Sequence, residues 1–146
     1  MDRKALLLVE DNQQDELLTL RALKKINLGN RVDVVRDGQQ ALDYLFCEGE
    51  FADRSPCDLP AIVLLDIGLP RLSGLEVLAR LRANPRTHLL PVVILTSSDE
   101  EKDRLQSYKN GANSFVRKPV DFAEFAEKVA HLGLYWLAIN EPLPKI

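Results

Sequence analysis

Short apolar runs alternate with longer, mostly polar stretches along nearly the whole chain. Five runs have the length and β-branched content of strands: Ala5 to Val9, Val32 to Val35, Ala61 to Leu65, Val92 to Leu95 and Ser114 to Val116. Three of them are unbroken apolar runs. Side chains of a strand alternate between faces, so such a run needs cover on both sides, which helices provide in a parallel sheet. Helix starts lie between the runs. Asp37 with Gln40, Ser73 with Glu76, Ser98 with Glu101 and Asp121 with Glu124 each place an N-cap oxygen three residues before Glu or Gln. Stops agree with them: Gly29 and Gly111 suit the left-handed turn that ends a helix, and Pro85 and Pro91 bracket a helix-to-strand break. The pattern predicts β then α five times, an α/β domain around one parallel sheet. The segment from about Glu48 to Pro60 is longer than a usual connection and shows no periodicity.

Composition narrows the class. The 146 residues suit a single domain covering 1–146, and 46% apolar with 28% charged residues is the balance of a globular protein. A net charge of −3 offers no basic face for nucleic acid or an anionic membrane. The apolar run after Met1 is too short for a leader or a span, so the cytoplasm is expected. Cys47 and Cys57 lie outside any metal-binding spacing and are expected as reduced thiols.

In an open parallel sheet, ligands bind beyond the carboxyl ends of the strands. There the sequence places Glu10 and Asp11 after the first run, Asp66 after the third, Thr96 and Ser97 after the fourth, and Lys118 with Pro119 after the fifth. Carboxylates about 4 Å apart repel by a few kcal/mol at an effective dielectric of about 20, so the group calls for a cation. Its oxygen-only donors suit Mg²⁺. Phosphoryl transfer then has its parts: Asp66 as nucleophile, the metal and Lys118 against the equatorial oxygens, Thr96 as a hydrogen-bond donor. Each residue alone has an ordinary alternative. An acidic pair after a strand caps helices, a threonine suits a strand end, and a lysine suits a surface. A flavin or nucleotide site is disfavoured, because EDNQQD rather than a glycine-rich loop follows the first strand.

Set in LLLVEDN, VLLDIGLPRLSG, VVILTSS and SFVRKP, these residues resemble the response-regulator receiver domain over nearly the whole chain. The resemblance implies a doubly wound, flavodoxin-like (βα)5 fold with strand order 2-1-3-4-5. It implies Mg²⁺ held by Asp11, Asp66 and the main-chain carbonyl of Gly68, with Glu10 as an outer-sphere acid and Asp66 as phosphoacceptor. It also implies a switch: Thr96 moves toward the phosphoryl group while Phe115 turns inward, changing the face of the fourth helix, fifth strand and fifth helix. Phe115 has an equal reading as a core residue. Pro119 is expected to follow a cis peptide bond. Gly68 and Ser98 depart from what many relatives carry beside the path of hydrolytic water, which leaves the phosphorylated lifetime open; Ser98 doubles as a helix cap. Such a domain is a phosphoacceptor regulator that promotes its own phosphorylation and dephosphorylation, with a sensor histidine kinase as partner.

CEGEFADRSPCDLP and GLYWLAINEP further resemble the small single-domain regulators that accompany phytochrome kinases, implying a bacteriophytochrome as the kinase. From Asp121 to about Asn140, Phe122, Phe125, Val129, Leu132, Trp136 and Ile139 recur at helical spacing and are expected on the sheet. Leu134, Tyr135, Leu137 and Ala138 add apolar surface beyond one core face, which either an isologous dimer or a helix end folded onto its own loop would cover; the family resemblance favours the homodimer, with Leu134, Tyr135 and Trp136 as candidates. Few residues follow Pro142, so no output domain is expected. The message then leaves through a bound partner. The alternative is a phosphorelay intermediate that passes the phosphoryl group to a histidine phosphotransferase, a reading that back-transfer would separate from the first.

Overall fold

The computed structural model describes residues 4–54 and 58–144. Its elements follow in the order β1 (Leu6–Val9), α1 (Gln13–Ile26), β2 (Val32–Val35), α2 (Gly38–Phe46), a 3-10 turn (Gly49–Phe51), β3 (Ile62–Leu65), α3 (Gly74–Ala83), β4 (Val92–Thr96), α4 (Glu101–Lys109), β5 (Ser114–Arg117) and α5 (Phe122–Leu134), with a π-helical turn (Tyr135–Ile139) after it. All five strands are parallel in the order β2-β1-β3-β4-β5. The expected doubly wound, flavodoxin-like topology is therefore present, and chain direction across the sheet reverses between β1 and β3.

Alternation along each strand divides the core in two. Leu7, Val9, Val63, Leu65, Val92 and Ile94 face one side with Leu45 of α2 and Leu78 and Leu81 of α3. Leu6, Leu8, Ile62, Leu64, Val93 and Leu95 face the other, against Leu23 of α1 and Phe125 and Val129 of α5. Double-sided burial explains the unbroken apolar runs: polar residues on either face would have stripped hydrogen bonds from water without replacing them.

Three expected helix caps are formed: Asp37, Ser73 and Asp121 accept from the amides of Gln40, Glu76 and Glu124. The fourth is corrected. α4 begins at Glu101 behind Glu100, which makes no side-chain cap, while the Ser98 hydroxyl donates to Asp103 at 2.6 Å and accepts from the Glu100 amide. A hydroxyl committed to Asp103 folds the connection before the helix instead of capping it. α1 ends two residues before Gly29, on Asn27, whose left-handed φ of 48° an asparagine tolerates.

The last helix continues to Ile139, close to the expected 140, but its final turn is not α-helical. Beyond Leu134 the backbone widens into a π-turn, with the Asn140 amide bonded to the Tyr135 carbonyl five residues back. One extra residue in a turn rotates everything after it. Leu137 therefore packs toward the core, as Trp136 does, and Ile139 turns outward at 61% exposure. Phe122, at the first position of α5, is likewise exposed, so neither it nor Ile139 packs on the sheet as expected.

The expectation of reduced thiols fails at Cys47, which is disulfide-bonded, and no described cysteine is free. Cys57, the other cysteine of the sequence, lies outside the described residues. Cys47 ends α2 in a left-handed turn, after which the chain doubles back. Phe51 stacks edge-on against Tyr44, and the Arg54 guanidinium lies 4.0 Å over the same ring. Residues 49–54 are thus folded onto α2.

Candidate functional site

β1 and β3 are neighbours in register, Val9 beside Leu65, so the residues that follow them emerge side by side. Glu10 and Asp66 are those residues, and both are buried. Asp11 follows Glu10 and is exposed. One carboxylate oxygen from each of Glu10, Asp11 and Asp66 lies within 4.8 Å of the other two. β4 and β5 bring the opposing groups: Thr96 ends β4, paired with Arg117, and the Lys118 amide donates to the Thr96 carbonyl at 2.7 Å.

Lys118 spans the pocket. Its Nζ lies 2.5 Å from Glu10 Oε1 and 2.9 Å from both Asp66 Oδ2 and Asp15 Oδ2. Burial by itself would lower the Lys118 pKa, but Asp66, Glu10 and Asp15 outweigh it and hold the ammonium above the ordinary lysine value. At Glu10 the balance tips the other way. Burial pushes this carboxyl up to about 7 against the pull of Lys118, with Asp66 adding to the rise. Glu10, Asp15 and Asp66 share the Lys118 ammonium, Asp11 stands beside them, and an all-oxygen donor set of this kind suits a hard divalent ion.

The loop after β3 is shaped around Asp66. The Gly68 amide donates to Asp66 Oδ1 at 3.1 Å, and a Cβ at Gly68 would meet little beyond that oxygen, 3.9 Å away, so the approach is uncrowded. Gly74 opens α3 with its amide on the Ile67 carbonyl, and a Cβ there would collide with the Asp66 carbonyl. Only glycine fits the turn that aims Asp66 into the pocket. A Cβ on Gly38 would likewise strike the main chain of Leu72, so α2 braces the far end of the same loop.

Thr96 is buried, and its hydroxyl accepts from the Ser98 amide at 3.3 Å. Phe115, on β5 beside Ile94, is half-buried and packs on the core shared with α2 and α3. Pro119 is half-buried next to Lys118. Leu134, Tyr135 and Trp136 stand apart from this pocket, at the end of α5. Leu134 and Tyr135 are exposed; Trp136 is half-buried and meets Tyr135 edge-on at 5.2 Å. Together with Phe115, Lys128 and His131 the two rings line an open groove of about 790 Å³ along β5.

Asp15 is absent from the residues that the sequence singles out, although it carries a signal. Asn12 caps α1 by accepting from the Asp15 amide at 2.9 Å, the same cap-plus-three spacing as at the other helices, with Asp in place of Glu or Gln. The Asn12 amide in turn holds Glu10 Oε2 at 3.2 Å. No helix among the described residues is long and apolar enough to cross a membrane.

Residues 6–130 match the response regulator receiver domain. Two curated relatives are the probable methanogenesis regulatory protein FilR2 of Methanothrix harundinacea, 39% identical over 92% of this chain and 84% of that one, and the response regulator Rcp1 of Synechocystis, 35% identical over 92% and 89%. Among solved structures, the phosphorylated cyanobacterial phytochrome response regulator RcpA superposes with a TM-score of 0.91 at 34% identity, covering 98% of this chain and all of the other. The Mn(2+)-bound form of Rcp1 gives 0.90 at 32%, with 97% and 99% covered. The bacteriophytochrome response regulator RtBRR gives 0.78 at 50%, with 98% and 86% covered. With its sheet order, its strand-end acids and its bridging lysine set beside these relatives, the chain belongs to the response regulator receiver domain family.

Proposed function

We propose that this receiver accepts a phosphoryl group on Asp66 from a sensor histidine kinase and passes the signal through the face formed by α4, β5 and α5. The observation that carries the reading is the ammonium of Lys118 held 2.9 Å from Asp66 Oδ2 inside a cluster of acidic oxygens. A carboxylate oxygen of Asp66 attacks the phosphorus, the bond to the donor breaks, and the donor leaves with the electron pair. Asp11, Asp66 and the Gly68 carbonyl would hold Mg²⁺, with Glu10 in the outer sphere. The ion supplies charge neutralisation for the phosphoryl oxygens, as Lys118 does from the other side. Rcp1, which has a Mn(2+)-bound form, supports a divalent ion here.

Thr96 would give up the Ser98 amide to donate to a phosphoryl oxygen, and Phe115 would follow into the space behind it. α4 is suited to relay that change. It buries only Ser107 among its residues, so little packing resists a shift. Kinship with RcpA and RtBRR supports a phytochrome kinase as the donor, which would place the chain in the cytoplasm with the kinase's ATP. The exposed Leu134 and Tyr135 support a homodimer through the same face.

Incubation with Mg²⁺ and acetyl phosphate followed by intact mass measurement tests the acceptor. One phosphoryl adduct is expected on the native chain and none on Asp66→Asn. An equal adduct on both would place the chemistry elsewhere.

A further inference from the structure

An ammonium has three N–H donors, and at Lys118 three carboxylates take them: Glu10 at 2.5 Å, Asp66 at 2.9 Å and Asp15 at 2.9 Å. A phosphoryl oxygen on Asp66 reaches this ammonium only if one of those bonds yields. Glu10 is 1% exposed and is tied by the Asn12 amide as well. Asp66 is the group being modified. Asp15 has a side chain 27% exposed, so water can replace Lys118 as its partner at little cost. Its place is nevertheless set, because it sits in the first turn of a helix whose cap, Asn12, holds its amide.

We infer that Asp15 is a positioning residue that competes with the incoming phosphoryl group for the ammonium of Lys118, and so slows the charging of Asp66. The inference rests on Asp66 being the acceptor. During transfer from acetyl phosphate, the Asp66–phosphorus bond forms, the phosphorus–oxygen bond to the acetyl group breaks, and acetate leaves with the electron pair. No proton need move. The negative charge reaching the pocket meets Lys118 already shared among three carboxylates, and the Asp15 share must be withdrawn first. Asp15 therefore acts through Lys118 and does not touch the reacting atoms.

The test is the rate of adduct formation at saturating Mg²⁺ and fixed acetyl phosphate, followed by intact mass. Asp15→Asn keeps the side-chain shape and an accepting oxygen but loses the charge, and is expected to react about three- to ten-fold faster. Asp15→Glu restores the charge and is expected to return toward the native rate. A merely structural role predicts the opposite sign, since a disturbed pocket reacts more slowly. An unchanged or slower rate in folded Asp15→Asn overturns the inference, with Asp15→Ser read in the same way should the asparagine variant not fold. Affinity for beryllofluoride, a phosphoryl mimic, supplies the second measurement. Asp15→Asn should tighten it on the native background and leave it unchanged on Lys118→Gln. An equal gain on both backgrounds would show simple charge repulsion and overturn the route through Lys118. No adduct on the native chain refutes the acceptor reading itself; a native adduct with an unaccelerated Asp15→Asn refutes only this inference.

Discussion

At Glu10 two influences oppose each other: burial favours the neutral acid, and the Lys118 ammonium 2.5 Å away favours the carboxylate. Burial prevails, leaving a pKa of about 7 against an ordinary 4.5. A folded-state pKa raised above the unfolded value contributes stability in full below the unfolded pKa and loses it as pH rises through the folded one. For Glu10 that window runs from about 4.5 to about 7, and the whole effect is on the order of 3 kcal/mol. With a chelator present, the Glu10-dependent part of the thermal midpoint should therefore fall between about pH 4.5 and pH 7. Mg²⁺ should offset that fall, because it binds the ionised form. Comparison of native and Glu10→Gln melts isolates this part, and identical pH profiles in the two would refute it. Lys118 stays out of this window, since its raised pKa costs stability only above the ordinary lysine range. Glu10, Asp11, Asp66, Thr96 and Lys118 are legible as candidates in the sequence because each lies at the end of a strand or just beyond it. Asp15 is not, because a helix residue reaches the site only through the angle at which α1 leaves β1.

Among the elements, the turn from β3 into α3 does most to aim the acceptor. Gly74→Ala would drive a Cβ into the Asp66 carbonyl, and the main chain would have to move. The phosphorylation rate should drop by at least about ten-fold while the domain stays folded, because the strain falls on a loop and misplaced reacting groups are costly. Rate by intact mass, with a circular dichroism melt alongside, separates a moved loop from a lost fold. A native rate would show that the loop relaxes around the methyl group. Helix starts are readable where the cap oxygen accepts from the amide three residues on, as at Asp37, Ser73 and Asp121. Ser98 fails because Asp103 takes its hydroxyl, a competition that cap spacing does not reveal. The π-turn at Tyr135–Ile139 is equally hidden, since no residue type or spacing in the sequence marks it.

For the molecule as a whole, the apolar ending of α5 is divided by the π-turn. Trp136 and Leu137 are drawn toward the core, while Leu134, Tyr135 and Ile139 remain outside. A dimer through this face should therefore weaken when Leu134 and Tyr135 become glutamine, by at least about ten-fold in dissociation constant, as removal of buried anchors does. Trp136 is left intact, because its loss would also disturb the fold. Light scattering with and without acetyl phosphate reads the result, and an unchanged oligomeric state would move the interface elsewhere or remove it.

The sequence by itself determined the βα alternation, the double-sided burial of the sheet and the acids and lysine at its carboxyl end, because strand burial and strand-end position are local properties of a chain. It also carried the family resemblance. Only the tertiary structure decided that Lys118 spends its three donors on Glu10, Asp66 and Asp15, that Gly74 leaves room for the Asp66 turn, and that the last helix widens so that Leu137 replaces Ile139 inside. The Lys118 contacts depend on distances between segments far apart in sequence, the widest being the 108 positions between Glu10 and Lys118. Helix angles and close backbone contacts fix such distances, and no local pattern encodes them.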